Sequence, residues 1–120
     1  MTKALLLIAS ILYVTQAHMS IFSEKVYSAC SRIPSGSVVT YGTLARAIGH
    51  PKAFRAVGSA LAKNPNAPSI PCHRVVGSDG RLCGYNGGKD TLLKASLLRA
   101  EGVGIANDRV DTKHIIGVLE

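Results

Sequence analysis

Cys72 stands in the run Ile70-Pro71-Cys72-His73-Arg74-Val75, where a thiol, an imidazole and a guanidinium follow one another. An ordinary thiol titrates at about 8.5 and its thiolate is the nucleophile, so a base and a cation beside it are what a reactive cysteine needs. Neighbours in sequence do not automatically touch. An extended backbone sends Cys72 and His73 to opposite faces, and the pair can cooperate only where the chain turns. Pro71 and the glycine-rich stretch after Val76 predict such a turn. The plain alternative is a chance Cys-His dipeptide in a core segment, since Ile70, Val75 and Val76 are apolar.

The remaining candidate nucleophiles and ligands are dispersed. Cys30 and Cys83 are remote from Cys72, no C-x-x-C pair occurs, and His18, His50 and His114 are equally scattered. Three cysteines without zinc-type spacing make neither a disulfide framework nor a metal site, so no metal is expected. Cys30 falls at helical spacing with Val26 and Ile33 and reads as a small core residue.

A chain of 120 residues is one domain by size. Its 14 Lys and Arg against 7 Asp and Glu leave a net charge of +7, which favours a polyanionic partner through counterion release. The opening segment has two readings. Lys3, the apolar run Ala4 to Val14 and Thr15-Gln16-Ala17 mimic a secretory signal. The same run also suits a buried strand and is too short to span a bilayer, so no membrane partner is expected.

Elements that would position Cys72 can be read in order. A helix begins near Ser23, which caps it, with Phe22 placed to staple onto Tyr27, and Pro34 ends it. Thr40 caps a second helix through Leu44 and Ile48 that stops at Gly49. Pro51 opens a third, which runs to about Lys63 and is halted by Asn64-Pro65. Two helices joined by a glycine turn outline a helix-turn-helix. In the third helix Ala53, Val57, Ala60 and Leu61 face inward. Lys52, Arg55, Ser59 and Lys63, with small Ala56 among them, form an opposite stripe that can approach a sugar-phosphate surface or simply face solvent. From Asn64 to Asn86 the composition is that of loops and turns, where sites usually sit. A last helix runs from Asp90 through Leu93, Leu97 and Ala100 to Gly102, and the tail with Ile105, Val110, Ile115 and Ile116 has no evident place.

Several segments together carry a resemblance. Pro71-Cys72-His73-Arg74-Val75, Gly84-Tyr85-Asn86-Gly87-Gly88, and Pro51-Lys52-Ala53 with Arg55-Ala56-Val57-Gly58 occur in one chain. Val39-Thr40-Tyr41-Gly42 and Ala62-Lys63-Asn64-Pro65 join them. In this order and spacing the chain resembles the O6-alkylguanine-DNA alkyltransferases from about Phe22 to Gly102. The resemblance implies a mainly α, winged-helix-like helix-turn-helix domain with short strands and an active-site loop, over residues 22–120. It also implies that residues 1–21 are an apolar vestige and that most of the family's N-terminal domain is lacking.

The resemblance further implies a partner and a chemistry. The partner is double-stranded DNA containing O6-alkylguanine, entered from the minor groove by a monomer, with no cofactor, in a cytoplasmic setting. Flipping is required because the alkylated oxygen is out of reach inside the duplex. Arg55 would fill the gap left by the flipped base, with Lys52, Ala56, Ser59, Lys63 and Thr40 on the DNA side. Tyr41 would rotate the phosphate and contact the purine, and Asn64 would link the recognition helix to the active-site loop. Cys72 would take the alkyl group, His73 the thiol proton through a water, and Glu101 would orient His73. Tyr85 and Asn86 would line the pocket, and the carbonyls of Cys72 and Val75 would receive the guanine amine.

Four features depart from the pattern: the reduced N-terminus, Phe54 where a small residue is usual, and Asn86 and Cys83 where Ser and Gly are common. The fourth is a segment Lys89 to Ser96 about two residues longer, across which Glu101 is aligned. The nearest rival is a non-catalytic alkyltransferase-like protein, whose kind are short and carry Trp or Ala in place of the cysteine. A helix-turn-helix regulator leaves Tyr85 and the Pro-Cys-His-Arg segment without a task, and a hydrolytic thiol enzyme lacks an acyl pocket.

Overall fold

The computed structural model describes residues 21–119, so both readings of the apolar opening segment lie outside it. The chain is helical at residues 21–30 (α1), which puts Ser23 inside the helix instead of at its cap. Serine favours caps but is tolerated inside a helix at small cost, where tertiary packing overrides the local preference. Val26, Cys30 and Ile33 are buried as the spacing predicts, and Ala29 is buried with them. Phe22 packs edge-on against the His50 ring, with centroids 5.9 Å apart.

Strand β1 (Val39–Thr40) leads directly into helix α2 (Tyr41–Ala47). Thr40 caps it, its Oγ1 accepting from the Thr43 N–H at 3.0 Å. Gly49, at φ +82, ends this element in the left-handed conformation that glycine adopts without steric cost. Helix α3 spans Phe54–Ala62 and starts three residues later than Pro51 suggested. The Ala53 N–H donates to the His50 carbonyl at 2.9 Å, closing a turn with Pro51 at its second position. Proline's fixed φ suits that place as well as a helix start. Lys52 therefore sits on the turn between the helices and not on α3.

Beyond a loop, a 3-10 turn (Cys72–Arg74) runs into β2 (Val75–Val76), which pairs in parallel with β1 through Val39↔Val75 and Thr40↔Val76. Helix α4 (Leu92–Ala100) follows, the Asp90 carboxylate accepting from the Leu92 N–H at 2.9 Å. Its buried face is Lys94, Ala95 and Leu98. Leu93, expected inward, is 59% exposed. The tail forms a hairpin of β3 (Ile105–Ala106) and β4 (Arg109–Val110), then bridges back to Val38 through Ile115.

Two apolar clusters result. One joins α1, α2 and α3 around Val26, Leu44 and Val57; the other gathers Val38, Val76, Leu98, Val103 and Val110 beneath α4 and the hairpin. Cys72 and Val75 belong to the first and Val76 to the second, so the Cys72 segment is held at their seam. The fold is mainly helical with short strands. No described helix is long and apolar enough to cross a membrane.

Candidate active site

The turn that Cys72 and His73 require is the 3-10 helix they open. It begins after Pro71, and the Val75 N–H donates back to the Cys72 carbonyl. Cys72 is 5% exposed and lies in the wall of a cavity of about 240 Å³. Tyr41 from α2, Gly58 and Leu61 from α3, and Tyr85, Asn86 and Gly88 from the following turn complete that wall. Burial pushes the Tyr41 hydroxyl up to about 12, so the phenol stays protonated and able to donate.

His73 is buried. Its Nε2 lies 3.2 Å from Glu101 Oε2, while Nδ1 has no partner among the described residues. Burial pulls the imidazole below its usual range, and the Glu101 contact raises it only in part. The ring is therefore neutral near pH 7, with one nitrogen engaged and the other free to take a proton. Glu101 sits at the C-terminal cap of α4. Residues 89–91 run ahead of that helix as irregular chain, Thr91 Oγ1 donating to Asp108 Oδ1 at 3.0 Å, so the longer segment leaves Glu101 within reach of His73.

Sequence reasoning credited Arg74 only with a general field. The structure gives it a specific place: Nε and a terminal nitrogen grip both Glu101 oxygens at 2.9 and 2.6 Å, and the other terminal nitrogen donates to the Ile33 carbonyl at 2.7 Å. These hydrogen bonds hold the Glu101 carboxyl below its ordinary value. One carboxylate thus serves two cationic or potentially cationic partners, and Ile33, in the turn after α1, anchors the set.

Asn64 is buried at the end of α3 and bridges two segments. Its Nδ2 donates to the Ile70 carbonyl at 2.8 Å and its Oδ1 accepts from the Asn66 N–H at 3.0 Å. The opposite wall is a tight turn in which the Tyr85 and Gly88 backbones exchange hydrogen bonds of 3.1 and 2.9 Å. Asn86 at φ 53 and Gly87 at φ 83 are the two central positive-φ residues of a type I′ turn, for which Asn-Gly is the preferred pair. This accounts for Asn86 in place of Ser.

A Cβ on Gly84 would lie 2.5 Å from the Gly88 carbonyl oxygen. Gly84→Ala is expected to cost about 2–4 kcal/mol by forcing this turn open, read as a lower midpoint in calorimetry. An unchanged midpoint would contradict so tight a turn.

The carbonyls of Cys72 and Val75, expected to receive a ligand amine, each already hold one protein donor, the Val75 N–H and Lys94 Nζ respectively. Each oxygen keeps a second lone pair. Lys94 is the other residue that sequence reasoning missed. On α3, Arg55, Ala56 and Ser59 are exposed, as are Lys63 after it and Lys52 before it. The Arg55 guanidinium carbon stands 6.0 Å from the centroid of the half-exposed Phe54 ring. Cys30, Cys72 and Cys83 are all free thiols, and among the described residues no cluster of His, Cys, Asp or Glu could hold a metal.

Residues 21–103 match the family model described as 6-O-methylguanine DNA methyltransferase, DNA binding domain. A methylated-DNA–protein-cysteine methyltransferase of Methanosarcina acetivorans is 49% identical over 68% of this chain and 51% of its own. The Escherichia coli bifunctional transcriptional activator/DNA repair enzyme Ada is 54% identical over 67% of this chain and 22% of its own. The chain spans about half the length or less of these curated relatives. Among solved structures, Mycobacterium tuberculosis OGT in complex with DNA is similar at TM-score 0.62 and 46% identity, over 67% of this chain and 48% of that one. S. pombe Atl1, in complex with damaged DNA containing O6-carboxymethylguanine, is similar at TM-score 0.74 and 30% identity, over 81% of this chain and 95% of that one.

Proposed function

The chain belongs to the 6-O-methylguanine DNA methyltransferase family by its DNA-binding domain, and from that premise we propose that it repairs alkylated DNA by moving the alkyl group of O6-alkylguanine onto Cys72. The observation that carries this is the cavity wall holding Cys72 beside a neutral His73 whose Nδ1 is unengaged and whose Nε2 meets Glu101. The sulfur forms a bond to the alkyl carbon as the carbon–oxygen bond breaks, and the electron pair stays on the guanine oxygen. The thiol proton passes through a water to His73 Nδ1. Charge developing on the guanine needs a donor, and the protonated Tyr41 hydroxyl in the same wall is placed to serve. A thioether does not hydrolyse, so each molecule acts once.

In this reading a monomer enters the minor groove with α3. Small Ala56 and Ser59 permit close approach, Lys52, Lys63 and Thr40 meet the backbone, and Arg55 occupies the stack when the base leaves it. Asn64 keeps the end of α3 in register with the Cys72 loop. Mixing the protein with a duplex carrying one O6-methylguanine should add the mass of one methyl, stoichiometrically, and peptide mapping should place it on Cys72. The likeness to Atl1 over nearly all of that chain supports a second reading, in which the cavity holds alkylated guanine without chemistry and marks it for other repair. Damage-specific binding with no mass change would select that reading.

A further inference from the structure

Of the cationic side chains that the structure describes, Lys94 alone is fully buried, 1% exposed. Burying an ammonium is costly unless each of its donors finds an acceptor. Lys94 has three N–H bonds, and three backbone carbonyls receive them: Val75 at 2.7 Å, Leu82 at 2.5 Å and Gly84 at 3.2 Å. All three lie outside its own helix. Val75 ends the 3-10 turn that Cys72 opens, and Gly84 belongs to the opposite cavity wall beside Tyr85. One ammonium therefore ties the nucleophile's segment to the wall that faces it.

We propose that Lys94 is a positioning residue for the alkyl transfer: acting through these carbonyls it holds the Cys72 segment and the Tyr85–Gly88 turn in register, and the transfer fails when the ammonium loses its proton. The inference rests on the functional reading above. A neutral amine keeps two donors and turns a lone pair toward the third carbonyl oxygen, so one of the three ties becomes repulsive. The groups facing this ammonium are the thiols of Cys83, Cys72 and Cys30 and the Asp108 carboxylate, and the His73 ring feels its charge. Burial brings Lys94 down to about 8, against which those groups raise it only in part.

Loss of the Lys94 proton lowers the rate as pH rises. Stability moves the other way. With its native value below the unfolded 10.5, the unfolded chain binds more protons between about 8 and 10.5, so this group's contribution to stability increases through that window. A fall in rate there is not unfolding.

The test is single-turnover methyl transfer from a saturating O6-methylguanine duplex between pH 6 and 10, with thermal melts at each pH. Wild type should fall by roughly tenfold between about pH 8 and 9.5 with no loss of melting temperature. Lys94→Arg should keep its rate across that range, and Lys94→Met should be slow and flat throughout. If Lys94→Arg does not fold, wild type and Lys94→Met still decide. A wild-type rate that climbs to a plateau, or a Lys94→Met rate equal to wild type at pH 7.5, overturns the proposal. Wild type that transfers no methyl at any pH defeats the functional reading itself, and this inference with it.

Discussion

Cys72→Ala is expected to accept no methyl group while still binding an O6-methylguanine duplex in preference to an undamaged one. Neither other thiol can stand in. Cys30 is fully buried in the α1 core, where burial pushes its thiol up to about 12. Cys83 is exposed, but its sulfur turns toward the Arg81 carbonyl at 3.5 Å and packs over Gly77, on the turn that follows β2. Removing one sulfur atom from a side chain 5% exposed costs stability on the order of 1 kcal/mol, so the variant should fold. The rest of the cavity wall comes from α2, α3 and the Tyr85–Gly88 turn and is untouched by the change. Mass spectrometry and competition binding on one preparation check both halves. Methyl found on Cys30 or Cys83, or binding lost along with transfer, would contradict this division of labour. The variant is also a deliberate copy of the non-catalytic reading, and so calibrates what damage binding without chemistry looks like.

What could be read beforehand follows from how local each cause is. Thr40 and Gly49 bound α2 in sequence and in space because capping and left-handed glycine act within one turn. Pro51 misled because a helix start and a β-turn ask the same φ of proline, and only the hydrogen bond from Ala53 to His50 chooses between them. The α4 face was misjudged because leucine is expected inside and lysine outside. Three carbonyls from elsewhere in the fold reverse that at Lys94, while Leu92 and Leu93 stay exposed. A signal was nonetheless present: Lys94, Leu98 and Glu101 recur at i, i+4 and i+7, so a helix that turns Glu101 to the site turns Lys94 inward too. The β1–β2 pair is two residues long and joins segments 36 positions apart, which no local pattern announces. The tail hairpin was missed because its turn is Asn107-Asp108, both at positive φ, without the glycine that usually marks such a turn.

Glu101→Gln should lower the methyl-transfer rate by roughly 10²–10³ and shift the acid limb of the rate profile further down in pH. The carboxylate raises His73 against the downward pull of burial. Its loss makes the imidazole a weaker base, so the plateau falls while the pH at which the base becomes protonated also falls. An amide keeps one oxygen for Arg74 but cannot match both guanidinium nitrogens, and the tie from Arg74 to Ile33 is left without its counter-charge. Stability against acid should change as well. In the wild type His73 lies below its unfolded 6.5 and Glu101 below its unfolded 4.5. The unfolded chain therefore takes up protons first at both sites, and stability drops as pH falls, through His73 below about 6.5 and through Glu101 below about 4.5. Glu101→Gln removes the second of these losses, so its melting temperature should depend less on pH below 4.5 than that of wild type, although it is lower at pH 7. Rate profiles and melts across the same pH series read both effects. A variant that transfers methyl at the wild-type rate would show that His73 needs no carboxylate, and that Glu101 serves only to hold Arg74 against the Ile33 turn.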